Sequence, residues 1–322
     1  MYNLSVEFQA NNHKKRTTVI STTSQSKIKM NSNSNIRECA SCGKRDGDEN
    51  ARLKTCTACW SVLYCGRICQ RAHRSDHIAS CKREKKLFKI HQQTKECDIC
   101  RLPLPIMSTG RKFLSCCGRE LCSGCIVGIC IANDDQNCPF CQEKNVDEVR
   151  STERIQNLVN RNHVNAIFLM GHRLERGIHG VEQNVNAAMD MYNDAADRGS
   201  AKAENALGNA FWWGREGIAI NSNRAKYHYE NAAIGGNAGA RYNLGAIEAD
   251  AGNMNRARKH YMIAAHAGHK QSLVQLGNLK RSGYATKEHY EAAEKGYKAY
   301  VETIKSPGRD FAMTRGIDSN YY

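Results

Sequence analysis

Along the second half of the chain, small and apolar residues return at fixed offsets. Ala166-Ile-Phe-Leu-Met-Gly171, Ala203-Glu-Asn-Ala-Leu-Gly208 and Ala240-Arg-Tyr-Asn-Leu-Gly245 lie 37 residues apart, and Gln271-Ser-Leu-Val-Gln-Leu-Gly277 follows after 32. A second pattern alternates with the first: Ala188, Tyr192, Ala195, Ala196 and Gly199, then Ala225, Tyr229, Ala232, Ala233 and Gly236, then Ala257, Tyr261, Ala264, Ala265 and Gly268. These spacings predict pairs of antiparallel helices over 165–304. Leu174, Leu207, Leu244 and Leu276 supply apolar faces, and Ala and Gly let the helices approach closely. Gly199, Gly236 and Gly268 fall where a helix would end in a left-handed cap. From the first-helix Gly to the second-helix Ala is 17 residues in two units and 12 in the third, so the third unit has lost five residues from its turn. No pair can bury its own face, and stacking supplies the core. A leading helix is expected at Glu153–Arg161 within a 146–164 linker. A longer, more polar capping helix is expected at Lys287–Ile304, followed by a flexible tail over 305–322.

The first half lacks this pattern. Residues 1–36 are rich in Asn, Ser, Thr and Lys and are expected to be disordered. Lys14-Lys15-Arg16 could address a nucleus, although three basic residues in such a tail are ordinarily only solvated. Beyond the tail cysteine dominates: all sixteen fall between Cys39 and Cys141, in two groups split by a basic, helical linker (84–95). The first 30 residues contain no apolar run of a signal peptide, and no segment reaches the roughly 20 apolar residues of a membrane span. A cytoplasmic or nuclear, reducing location is therefore expected, where clustered cysteine means metal rather than disulfide.

Charge adds little. The formal +15 divides into +12 over residues 1–95 and +3 over the rest. Fifteen thiolates on four divalent ions would lower the total to +8. With no aromatic stacking pattern beside it, this modest bias does not make nucleic acid an expected partner.

The first group, over 37–83, reads Cys39-x2-Cys42, Cys56-x2-Cys59, Cys65-x3-Cys69 and His77-x3-Cys81. A pair two or three residues apart chelates one ion through a tight turn, and tetrahedral zinc takes two pairs. So short a segment buries too little apolar surface to fold alone, and the metal supplies the deficit. Over its whole length this string resembles the MYND zinc finger, in its spacing and in Tyr64-Cys65, Cys69-Gln70 and His77-x3-Cys81. The resemblance implies interleaved sites, Cys39, Cys42, Cys65 and Cys69 for one ion and Cys56, Cys59, His77 and Cys81 for the other, with His73 the competing histidine. It also implies binding of short peptides through Gln70 and a Trp; here that position is Arg74, which removes an aromatic platform.

The second group, over 96–145, reads Cys97-x2-Cys100, Cys116-Cys117, Cys122-x2-Cys125 and Cys138-x2-Cys141. It resembles an all-cysteine RING finger of the CCG variant. The implied cross-brace joins Cys97 and Cys100 with Cys122 and Cys125, and Cys116 and Cys117 with Cys138 and Cys141. Cys130 is left over, expected as a buried thiol among Ile126, Val127, Ile129 and Ile131. The count closes at sixteen ligands for four structural zinc ions with no open position, and no nucleophile–base set accompanies them. Histidines in the repeats, His260 among them, show no chelating pattern, and most are expected at the surface. RING resemblance implies a ubiquitin ligase that positions a conjugating enzyme and its ubiquitin thioester. Ile99 and Pro139 match the contact positions, Ile126 and Ile129 could add to them, and Gln142 stands where an Arg is common. The helical repeats resemble SEL-one-like repeats, relatives of tetratricopeptide repeats, in their LG, AA and terminal G positions, and this implies protein binding. The expected architecture is two small zinc-stapled cross-brace domains followed by an all-α repeat solenoid. Two readings of function stand nearly level: a RING-type ubiquitin ligase whose MYND finger and repeats recruit substrates, and a non-enzymatic adaptor that binds proteins through all three modules.

Overall fold

The computed structural model describes residues 38–45, 47–48, 52–56, 62–89, 95–106, 110–132 and 137–315. The expected tail over 1–36 lies outside them. Each cysteine-rich module is built on one short hairpin followed by helix. In the first, β1 (Lys54–Thr55) pairs antiparallel with β2 (Leu63–Tyr64), Lys54 opposite Tyr64, and α1 (Arg67–Ala72) and α2 (Arg74–Leu87) follow. In the second, β3 (Arg111–Phe113) pairs antiparallel with β4 (Glu120–Cys122), Arg111 opposite Cys122, and leads into α3 (Ser123–Ala132). Their cores are small: Cys39, Leu53, Cys56 and Tyr64 in one, Cys97, Leu104, Leu121 and Cys122 in the other.

The remainder is helical. α4 (Glu148–Asn160) leads three hairpins: α5 (Val164–Arg176) with α6 (Val185–Asp197), α7 (Ala201–Trp213) with α8 (Ser222–Ile234), and α9 (Ala238–Asp250) with α10 (Met254–His266). Then come α11 (Lys270–Arg281), α12 (Lys287–Ile304) and α13 (Pro307–Thr314). The turn within the third hairpin spans 251–253, against 177–184 and 214–221 in the others, so the five missing residues lie where the spacing put them. Side-chain caps start most of these helices, from Asp147, Asn184, Ser200, Asn221, Asn237, Thr286 and Ser306. After α6, Gly199 takes φ 85°, its N–H donates to Ala196 O, and Ser200 N–H donates to Ala195 O. This is a Schellman closure, which needs a residue at ease with positive φ, and Gly236 and Gly268 repeat it.

Packing within a hairpin turns on a glycine under a tyrosine ring. A Cβ on Gly208 would lie 2.6 Å from Tyr229, and one on Gly245 would lie 2.5 Å from Tyr261. The recurring Gly of the first helix and Tyr of the second, 21 residues apart in two hairpins and 16 in the shortened third, therefore mark a face where ring meets backbone. Between hairpins, Tyr192, Leu207, Tyr229, Leu244, Tyr261 and Leu276 are all buried.

Four features depart from the sequence expectations. The 84–95 linker is no free tether: α2 runs into it, and Leu87, 1% exposed, joins the cluster of Tyr229, Ala233 and Leu244. The buried Arg241 guanidinium donates to the carbonyls of Leu87, Lys89 (3.0 Å) and Ala233 (2.9 Å). The 305–322 tail contains α13, which packs on α3 so tightly that a Cβ on Gly124 would meet Arg309 N at 2.7 Å; residues 316–322 lie outside the described set. Cys130 is exposed rather than buried, because α3 turns Val127 inward and leaves Cys130 and Ile131 on its outer side. His260 is fully buried, its ring 4.8 Å from Phe88, because the end of α2 covers it.

Candidate metal centre

Three knuckles share one backbone design. In Cys39–Lys44, Cys97–Leu102 and Cys138–Glu143 the first cysteine's carbonyl accepts from the residue four along and its N–H donates to the carbonyl five along. The fourth residue must then adopt positive φ: Gly43 at 74°, Arg101 at 59° and Gln142 at 58°. Such a turn aims both sulfurs of a Cys-x2-Cys pair to one side and points amides at the first of them.

The turns bring four groups together. Cys39, Cys42, Cys65 and Cys69 form one; Cys97, Cys100, Cys122 and Cys125 another; Cys116, Cys117, Cys138 and Cys141 a third; within each, the ligand atoms lie within 4.8 Å of one another. Cys56, His77 and Cys81 form the fourth, and Cys59 lies outside the described residues. Sulfur separations include 3.6 Å for Cys42 to Cys65, 3.5 Å for Cys65 to Cys69, 3.9 Å for Cys56 to Cys81, and 3.8 Å for both Cys100 to Cys122 and Cys117 to Cys138. A tetrahedron with zinc–sulfur bonds of about 2.3 Å has edges of about 3.8 Å, whereas a disulfide brings its sulfurs to about 2.05 Å. The spacing is that of ligands around an ion.

Proton chemistry agrees. Burial disfavours charge on Cys39, but the amides of Cys42, Cys65 and Ser41 outweigh it and bring the thiol to about 6. The Cys122 thiol, against burial and aided by the Cys122 amide at 3.4 Å, draws Cys97 down to about 4. Cys138, despite burial, falls to about 7 under the amides of Cys141 and Phe140. Their partners move the other way: Cys65 rises to about 12, chiefly through the side chains of Cys69, Cys42 and Cys39, and burial lifts Cys125 to about 12. In the three all-cysteine clusters one thiol is drawn toward ionisation, while Cys65, Cys69, Cys116, Cys117, Cys122 and Cys125 are pushed the other way. A divalent ion removes that conflict, releasing protons as it binds.

His77 is prepared as a ligand. Ser80 Oγ donates to the His77 carbonyl at 2.9 Å, so its lone pair faces Nδ1 at 3.1 Å. With Nδ1 carrying the proton and donating to Ser80, coordination of an ion would fall to Nε2. His73 is engaged elsewhere, its Nδ1 3.1 Å from Tyr64 Oη. Ser80 was not singled out from the sequence, although its place three residues after His77 on one helix face is the signal.

Residues 39–81 form a MYND finger. The family model described as "MYND finger" matches that span, and the family implies zinc in it. No curated protein matches the chain. Among solved structures, a Sel1 repeat protein from Oxalobacter formigenes is 23% identical with a TM-score of 0.40, over 49% of this chain and 66% of that one. The protective antigen c5321 of uropathogenic Escherichia coli, displaying an SLR fold, is 24% identical with a TM-score of 0.41, over 56% of this chain and 38% of that one. Immunity protein Pa5087 from Pseudomonas aeruginosa is 18% identical with a TM-score of 0.37, over 56% and 66%. This chain spans less than two thirds of the length of each.

The residues expected to meet partners are split. Gln70 and Arg74 are exposed on the MYND finger. Ile99 is 42% exposed between Cys97 and Cys100. Ile126 and Pro139 are half-buried and line a cavity of about 300 Å³ with Ser151 and Arg154 of α4 and Arg173 of α5; Ile99 is not in its lining. Gln142 is exposed and serves its knuckle through its backbone, while Glu143 beside it pairs with Arg154 at 3.0 Å.

The second module is also tied to the chain's end, which sequence reading missed. Arg309, fully buried, donates to Ile304 O at 2.5 Å and reaches Cys100 Sγ at 4.0 Å. Ser306-Pro307, a capping residue before Pro at the first helical position, is the sequence signal for α13. Among the described residues no helix is long and apolar enough to cross a membrane.

Proposed function

We propose that this chain is a zinc-stabilised scaffold for protein partners, with four structural zinc ions in two cross-brace modules held against a helical solenoid. The observation that carries it is the four ligand groups at tetrahedral spacing. In this reading Cys39, Cys42, Cys65 and Cys69; Cys56, Cys59, His77 and Cys81; Cys97, Cys100, Cys122 and Cys125; and Cys116, Cys117, Cys138 and Cys141 each hold one ion. The zinc supplies crosslinks and charge neutralisation to modules whose own cores are a handful of residues. Every ligand set is closed, so the work falls to protein surfaces.

Between the two activities weighed from the sequence, the geometry favours the adaptor. A conjugating enzyme would need Ile99, Ile126 and Pro139 on one open face, and two of these turn toward α4 and α5. The exposure of Ile99 is what keeps the RING-type ligase as a second reading. The test is autoubiquitination of the zinc-loaded chain with a panel of conjugating enzymes, beside partner capture from lysate, for wild type and Ile99→Ala. The adaptor reading expects a silent ubiquitin assay and partners retained by both proteins. An Ile99-dependent conjugate would replace it with the ligase.

A further inference from the structure

We propose that the cavity between the second cysteine module and the start of α7 and α9 binds a phosphomonoester dianion. The cavity, of about 360 Å³, is lined by Lys95, Arg111 and Lys202, and Glu120 is the one carboxylate in its lining. The Glu120 side chain, 5% exposed, pairs with Lys95 at 3.0 Å and Lys202 at 3.2 Å. Arg111 forms no ion pair among the described residues, so three cations share one carboxylate and the lining itself carries a net charge of +2. Lys202 registers the imbalance: burial and then the Arg111 charge push its ammonium below the usual lysine range despite Glu120.

Two units of positive charge in a half-enclosed cavity match a phosphate monoester at neutral pH, whereas a carboxylate would neutralise only one. The backbone supports the same class of ligand. Ala201 and Lys202 open α7, Ala238 and Gly239 open α9, and all four line the cavity; first-turn amides have no acceptor within their own helix. The lining contains no aromatic ring beyond the imidazole of His269, so nothing offers a nucleobase a stacking surface. The lining contains none of the proposed zinc ligands, and the site does not depend on the scaffold reading. Were the phosphate carried on a partner's side chain, it would add a phosphorylation requirement to one of the partners.

The test uses the zinc-loaded full chain at low salt, titrated calorimetrically with inorganic phosphate, with a pentapeptide of Ala around one phosphoserine, and with its unphosphorylated form. Saturable one-to-one binding of a phosphate-bearing probe is expected, and Arg111→Gln and Lys202→Gln should each weaken it about tenfold or more. Glu120→Gln should tighten it, since the variant removes the one negative charge. If that variant fails to fold, the two cation variants carry the test. A phosphopeptide tighter than phosphate identifies a modified side chain as the source, and phosphate equal or tighter identifies a small phosphate compound. No saturation by about 10 mM of either probe, or binding that both cation variants leave unchanged, overturns the proposal and makes the trio a compensation for the nearby thiolates.

Discussion

Arg309 and Cys100 lie 209 residues apart in sequence, and the guanidinium of one reaches within 4.0 Å of the sulfur of the other. Arg309 also lowers the proton affinity of Cys122, opposing the burial and Cys97 contacts that raise it. An all-cysteine zinc site carries a charge of −2, and a buried cation beside it relieves the cost of enclosing that charge. The last described helix is thereby fastened to the ligands of the second module.

Arg309→Gln should accordingly weaken metal retention at Cys97, Cys100, Cys122 and Cys125 by roughly 10- to 100-fold. Competition against a chromophoric chelator measures this, and hydrogen exchange over 305–315 should rise in parallel. Unchanged retention with unchanged exchange would mean the contact is incidental.

Metal removal should divide the molecule. The zinc modules have cores of a few residues, whereas the hairpins from α5 to α10 bury their faces mostly against one another. A strong chelator at neutral pH should abolish tertiary signals from 38–145 and leave most far-ultraviolet helical signal in place. Loss of both together would show that the solenoid cannot stand without zinc.

Leu87→Ala removes the side chain that anchors α2 in the solenoid. Such a substitution at a fully buried leucine costs about 2–5 kcal/mol, here against contacts between modules rather than within one. Zinc content should be unchanged while proteolysis after residue 89 accelerates; slower cleavage than wild type would contradict the docking.

Gly245→Ala should destabilise the third hairpin by about 1–3 kcal/mol, because the new methyl would overlap the Tyr261 ring. Urea unfolding measures it. Tyr261→Leu in the same chain should recover part of the loss, an outcome that a purely local backbone effect would not give.

His260 predicts a pH dependence. Burial first, and then the charges of Arg256, Arg241, Lys226 and Lys259, hold its imidazole well below the usual 6.5. The folded state keeps it neutral while the unfolded state takes a proton, so its contribution is present above about 6.5 and is lost as pH falls further. The loss is at most about 1.4 kcal/mol per pH unit. His260→Leu should therefore flatten the fall in urea midpoint between pH 7 and pH 5.5 relative to wild type. Parallel profiles would show that His260 titrates normally.

Local pattern carried much of this into the sequence. The repeated Leu-Gly and Ala-Tyr-Ala-Ala patterns, the shortened third turn and the pairing of cysteines all arise from contacts between neighbours or from turns of fixed length, and each leaves a spacing behind. What sequence reading missed crosses the chain: Leu87 in the solenoid core, Arg309 at Cys100, Glu120 between Lys95 and Lys202. None of these obeys a period, and each partner lies on another module. Cys130 and His260 exchange their expected environments for the same reason, since helix orientation and the cover laid by α2 are set by tertiary packing.

Native mass spectrometry of the purified chain tests the central claim most directly. Four zinc ions per chain are expected, falling to three when Cys116 and Cys138 are both replaced by serine and to three again for a His77→Ala, Cys81→Ser pair. Two ions in the wild-type chain, or oxidised cysteine pairs in place of metal under reducing purification, would contradict it.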